Sequence, residues 1–258
     1  DKIYKKGMLD FKNEIEAALA ALDFINDAEA YEKQEQLRAM DITADALILL
    51  AHRHADRAEE LASGDIDPTR RAELRQIAAV CRRVPAHAPR TFWEALQYYW
   101  FVHLGVTTEL NPWDAFNPGR LDQHLQPFYS KELAAGTLTR ETAAELLQCL
   151  WIKFNNQPAP PKVGVTAAES GTYTDFAQIN TGGVKVDGSD AVNDVTYLLL
   201  DVIEEMRLLQ PSSSVQLSKK NPDRFIRRAA RIIRTGFGQP SIFNTDVIVQ
   251  EMIRQGKT

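Results

Sequence analysis

Apolar positions recur at helical spacing through the first 156 residues. Phe11, Ile15, Ala18, Leu19 and Leu22 follow one another at steps of three and four, which predicts a helix. A longer helix is expected from near Ala28 to about Ala62. Leu37, Met40, Ala44, Leu47, Ile48 and Ala51 share one of its faces, and Gly64 ends it. Asp67-Pro68 opens the next, with Asp as N-cap and Pro at the first helical position, and that helix stops before Pro85. Thr91-Phe-Trp-Glu94 has the spacing of a capping box. The helix it starts is apolar nearly all round (Phe92, Trp93, Leu96, Tyr98, Tyr99, Trp100, Phe101, Val102, Leu104), which places it in the middle of a large core. Arg120 to Phe128 and Arg140 to Phe154 give two further helices.

From Asn155 the pattern changes. Pro158, Pro160, Pro161, Gly164 and Gly171 interrupt a stretch without steady period, so 157–176 reads as a loop. Loops of about twenty residues inside a compact domain are uncommon and are often functional. Beyond it, short strand-like runs at Ala177 to Asn180, Ser213 to Leu217 and Pro240 to Phe243 alternate with helical stretches near Ala191 to Leu208 and Pro222 to Thr235. Asn244 is placed to cap one more helix. Strands separated by helices predict α/β crossovers. The fold class is therefore α/β and helix-rich. It is organised as one segment, 1–258: mostly helical to 156, a loop at 157–176, and alternating strands and helices from 177.

Composition narrows the function. The chain is 44% apolar with 30 basic and 35 acidic residues, a formal charge of −5, which argues for a globular protein without a field for nucleic acid. No apolar run approaches a membrane span, and Asp1-Lys2-Ile3-Tyr4-Lys5-Lys6 is no signal peptide, so a cytoplasmic protein is expected. Cys81 and Cys149 are too few for a disulfide framework or a cysteine-rich zinc site. Cys149, among leucines and a tryptophan, reads as a core thiol. Cys81 precedes Arg82-Arg83 but reads as structural. His52 and His54 lie two apart on a helix and face different ways, and no metal site is expected. Phosphate-loop, dinucleotide and nucleophile-elbow motifs are absent.

Two polar segments stand out. Thr108 to Asp122 delivers Glu109, Asn111, Asp114, Asn117, Arg120 and Asp122 directly after the most apolar helix. Polar groups brought to a core need partners or a ligand, and a network of caps and salt bridges would serve equally, above all for Arg120 and Asp122. Gly164 to Phe176 combines Ser170, Thr172, Thr174 and Asp175 with Tyr173 and Phe176, a mixture that suits a small polar ligand in an apolar pocket or a loop capping its own turns.

The same segments carry a family resemblance. Thr108-Glu-Leu-Asn111 and Asp114-Ala-Phe-Asn-Pro-Gly-Arg-Leu-Asp-Gln123 resemble the glycyl radical enzymes of the pyruvate formate-lyase-like type. So do Arg90-Thr-Phe-Trp-Glu-Ala-Leu-Gln97, Ile179-Asn-Thr-Gly-Gly183 and Gly236-Phe-Gly-Gln-Pro-Ser-Ile-Phe-Asn244. Ser170-Gly-Thr-Tyr-Thr-Asp-Phe176 with Asp114 is most similar to the branch that dehydrates trans-4-hydroxy-L-proline. The resemblance implies that the chain is part of a ten-stranded α/β barrel and that Asp114, Ser170, Asp175 and Phe176 bind the substrate. It implies no directly bound cofactor. The radical sits on a glycine in a C-terminal part and is installed by an activating enzyme that uses S-adenosylmethionine and an iron–sulfur cluster. A homodimer is also implied. The family's Gly-Cys-Val-Glu-type loop and Arg-Val-x-Gly-Tyr-type motif are absent, so the chain reads as an internal fragment without the catalytic cysteine, acid-base glutamate or radical glycine, inactive by itself. The alternatives are another lyase of this family, such as an isethionate sulfite-lyase or a diol dehydratase, or a non-catalytic helical binding module.

Overall fold

The computed structural model describes residues 2–64, 66–110, 116–156 and 177–257. The chain divides into two compact units, Asp1–Val102 and His103–Thr258. The first contains α1 (Met8–Ala20), α2 (Ala30–Ala62), α3 (Pro68–Arg83) and most of α4 (Phe92–Gly105). Asp67 caps α3 by accepting from the N–H groups of Thr69 and Arg70, with Pro68 at the first position, as its sequence requires. At α4, Thr91 Oγ1 accepts from Glu94 N (3.1 Å), while the Glu94 carboxylate reaches back to Arg90 N (2.6 Å).

The seam between α2 and α3 is built from small residues. Ala51, Ala55, Ala58 and Ala62 of α2 meet Leu74, Ala78 and Cys81 of α3, closed over by Phe101. Those alanines recur at steps of four and three, so they form one stripe, and their small volume lets the two backbones approach. This corrects the face expected for α2. Ala44 and Ala51 are buried, but Met40 is 56% exposed, and Leu37, Leu47 and Ile48 are only half-buried. Chain volume, not hydropathy, selects the seam. Burial pushes the Cys81 thiol up to about 11, which leaves it a packed, unreactive group. Tyr98, fully buried, packs with Val80 and Val84.

The second unit holds the sheet. Its elements are α5 (Leu121–Ala135), α6 (Arg140–Asn156), β1 (Gln178–Gly182), α7 (Asp194–Met206), β2 (Ser212–Leu217), α8 (Asp223–Arg234), β3 (Ser241–Asn244) and α9 (Thr245–Arg254). The strands run parallel in the order β1-β2-β3, with Asn180 opposite Ser214 and Ser214 opposite Ser241. Parallel neighbours need crossover connections, and α7 and α8 supply them. Ile179, Val215, Leu198, Leu199, Phe225 and Ile232 are fully or almost fully buried and form the core of this unit. Asn244 caps α9 through Val247 N (3.2 Å).

Two sequence expectations fail here. The helix from Arg120 was expected to end at Phe128. It runs through Pro127 to Ala135 and stops where Gly136 takes a left-handed φ of 68°. The proline removes one backbone donor, and the helix tolerates it because Leu121, Leu125 and Tyr129 are buried along one face on either side of it. Cys149 was expected in the core. It is exposed, because Leu147, Leu150, Trp151 and Phe154 take the buried face of α6. Among the described residues no helix is long and apolar enough to cross a membrane, and no cluster of three His, Cys, Asp or Glu could hold a metal.

The alanine seam makes a specific demand. Ala55→Leu should cost about 1–3 kcal/mol through overpacking, whereas Met40→Ala should stay within about 0.5 kcal/mol. Urea denaturation of both variants checks this, and equal losses would show that the seam does not set the packing.

Candidate functional site

The polar residues after α4 converge on the carboxyl end of β1. Asp122, in the first turn of α5, is completely buried. Its carboxylate accepts from Gly182 N (2.9 Å), from the Thr196 hydroxyl (2.8 Å) and from Gln123 N (2.8 Å). The Thr196 hydroxyl in turn accepts from Asn193 N (3.0 Å), and Asn193 Oδ1 accepts from Thr196 N (2.9 Å), so the same pair caps α7. Burial pushes the Asp122 carboxyl above the usual range. The bonds from Gly182, Thr196 and Gln123 and the charge of Arg120 work against that shift.

Neighbouring residues of α5 reinforce the node. Arg120 spans two carbonyls, Gly182 O (2.7 Å) and Val184 O (2.6 Å). Gln123 donates to Ala191 O (2.6 Å), and Gln126 Oε1 accepts from Val195 N (3.1 Å). Asn221 completes the ring by donating to Gly183 O (2.7 Å) and Asp190 (2.7 Å). Gly182 and Gly183 both have left-handed φ, 75° and 74°. A side chain at Gly182 would overlap the Phe225 ring, and one at Gly183 would begin 2.9 Å from Gln216 Cβ. Above this node an open cavity of about 500 Å³ is lined by Asn180, Lys185, Gln216, Thr245 and Val249 among others.

The opposite end of β1 is where the two polar segments return to the described structure. Asn117 Oδ1 accepts from Gln178 N (2.7 Å), and Gly119 O accepts from Asn180 N (2.8 Å), which pairs Gly119 with Ile179 in a parallel bridge. Residues 117–119 and 178–180 therefore run side by side. Asp114, Ser170, Asp175 and Phe176, and the 157–176 loop, lie outside the described residues. Upstream, α4 ends in a π-helical turn, Val106–Leu110. There the Thr107 hydroxyl donates to His103 O (2.9 Å) and the Thr108 hydroxyl to Leu104 O (2.7 Å), widening the helix just before residue 111. Buried His103 sits edge-on to Phe154 at 4.9 Å, a core histidine. Glu109 is exposed.

Of the polar residues singled out from sequence, Arg120 and Asp122 are thus brought together in a structural network at the carboxyl end of β1, while Asn117 ties its amino end. Asn193, Thr196 and Asn221 were missed. The three-residue spacing of Asn193 and Thr196 was the available signal.

Residues 1–258 match the family described as pyruvate formate lyase-like. The chain belongs to that family. It is 58% identical over 258 residues to the trans-4-hydroxy-L-proline dehydratase of Clostridioides difficile, covering all of this chain and 33% of that protein. It is 35% identical over 261 residues to the isethionate sulfite-lyase of Nitratidesulfovibrio vulgaris, covering 31% of it. The crystal structure of the Clostridioides difficile hydroxyproline dehydratase, with trans-4-hydroxy-L-proline bound, superposes with a TM-score of 0.94 at 58% identity over 100% of this chain and 33% of that one. The pyruvate formate lyase-like chain thus spans about a third of the length of the relatives it matches.

The Asp122 node predicts a pH dependence with a definite sign. A carboxyl whose folded pKa is raised favours the fold while protonated. Its contribution is complete below the unfolded value of about 3.9 and is lost as pH rises through the folded value. Asp122→Asn should flatten that part of the stability–pH curve. Asp122→Ala, which strands the Gly182 N–H and the Thr196 hydroxyl, should cost about 2–5 kcal/mol. Denaturation midpoints from pH 4 upward check both, and an unchanged slope in the Asn variant would remove Asp122 as the titrating group.

Proposed function

We propose that this chain forms the substrate-binding part of a glycyl radical lyase that removes water from trans-4-hydroxy-L-proline to give 1-pyrroline-5-carboxylate. The observation that carries the reading is the 58% identity and the TM-score of 0.94 to the substrate-bound hydroxyproline dehydratase, against 35% to an isethionate sulfite-lyase. The chemistry of the four candidate residues agrees. The substrate is a zwitterionic ring amine with one hydroxyl, which calls for carboxylates, a hydroxyl partner and an apolar wall. Asp114 and Asp175 supply the carboxylates, Ser170 the hydroxyl and Phe176 the wall. The pairing of Asn117 with Gln178 supports this grouping, since it holds together the points at which both segments rejoin the fold.

The C5 hydrogen beside nitrogen is not acidic, so the reaction calls for hydrogen-atom abstraction by a thiyl radical, which the rest of the polypeptide would supply. The residues of this chain orient the ring so that C5 faces that thiol and the C4 hydroxyl faces a proton donor. The fully buried Ile179 and Val215 of the sheet help exclude water, which a radical reaction requires. An activating enzyme that uses S-adenosylmethionine and an iron–sulfur cluster, a homodimeric state and a cytoplasmic, anaerobic setting complete the proposal.

The test uses the complete polypeptide that carries this segment, activated without oxygen and given trans-4-hydroxy-L-proline. Formation of 1-pyrroline-5-carboxylate is expected. Asp175→Asn should lower kcat/KM about 10- to 100-fold, the loss of one charge-assisted hydrogen bond. Absence of turnover by the native protein, with isethionate or a diol accepted instead, would replace the substrate. Normal turnover by the variant would remove Asp175 from the site.

A further inference from the structure

α7 and α8, with Arg140 of α6, border a second cavity of about 620 Å³ with an unusual lining: Arg140, Arg224, Arg227, Arg228 and Arg231, with Tyr197, Asp201 and Asp223. Two of the arginines are neutralised. Asp201 is bridged by Arg140 and by Arg228, whose Nε and Nη2 both meet Asp201 Oδ1 (3.0 and 2.8 Å), and Arg228 also pairs with Glu204 (2.6 Å). These contacts fix one wall. The other three arginines carry the surplus. Arg224 lies over the Tyr197 ring, 4.6 Å from its centre. Arg227 makes a long contact with Asp223 (3.5 Å) in which both side chains are highly exposed, worth little in water. Arg231 is exposed at the same rim. Residues 224, 227, 228 and 231 recur at steps of three and four, so one face of α8 presents all four guanidinium groups. Among the described residues that line the cavity, Asp201 is taken up by Arg140 and Arg228, which leaves Asp223 against Arg224, Arg227 and Arg231, in a chain whose overall charge is −5.

We propose that this cavity is a binding site for a small multivalent oxyanion, of the phosphate or dicarboxylate kind. Planar guanidinium forks match such oxygens two at a time, and Arg224 is held ready by its stack on Tyr197. The volume lies within the range of small-molecule sites and is more than a single water needs. The Asp201 bridge holds Arg140 and Arg228 against the wall and Tyr197 holds Arg224, so an entering anion has only Arg227 and Arg231 left to order.

The experiment is calorimetric titration of the complete polypeptide with inorganic pyrophosphate and, separately, with citrate. Saturable binding that weakens as salt is raised is expected. The double variant Arg227→Gln/Arg231→Gln should weaken it at least tenfold. Both side chains are exposed, so the fold is unaffected. Arg234→Gln, one helical turn beyond the cavity, should leave it unchanged within about twofold by the same local argument. Preference for one probe distinguishes phosphate from carboxylate as the source of the anion. No saturable binding of either probe, unchanged binding in the double variant, or equal weakening by Arg234→Gln would overturn the proposal. Catalytic turnover is not read in any arm, so the result stands apart from the lyase assignment.

Discussion

One buried carboxyl organises the second unit. Asp122 takes its bonds from three different places: its own helix, the end of β1 and the start of α7. Once it is in place, the glycine turn after β1 has a fixed position. Arg120 and Asn221 then hold the carbonyls of that turn that Asp122 cannot. A buried charged or polar group without these partners would cost several kcal/mol, so the network is satisfied as a whole or not at all. β2 and β3 align from β1 outward, and their register inherits its placement.

The network also separates two jobs along one strand. The carboxyl end of β1 is tied by side chains from α5 and α7. The amino end is tied by Asn117, whose Oδ1 accepts from Gln178 N. Rigidity is concentrated at the carboxyl end, where Arg120 and Asp122 act together, and Asn117 fixes the entry into the strand.

Much of the fold was legible from local signals. Asp67, Thr91 and Asn244 announce helix starts because a cap acts within three residues. The three strands and their intervening helices were legible to within a few residues. Met40 and Cys149 were misplaced because burial there depends on which face a distant helix covers. The helix expected to end at Phe128 runs on to Ala135 because packing on both sides of Pro127 outweighs one lost backbone bond. The site divides the same way. Asp114, Ser170, Asp175 and Phe176 are proposed from the family resemblance of their motifs and lie outside the described residues. The partnership of Asp122 with Gly182 and Thr196 was not legible, because its members lie 60 and 74 residues apart and no short pattern links them.

The alanine stripe of α2 has an effect on how the first unit responds to heat. Alanine has no rotamers to lose on burial and none to regain on warming. A seam of larger side chains can loosen gradually, as individual groups begin to hop while the backbones stay in place. Ala51, Ala55, Ala58 and Ala62 offer no such intermediate softening. Any gradual loosening of this pair therefore falls to Leu74 and Phe101, the large side chains that meet the stripe.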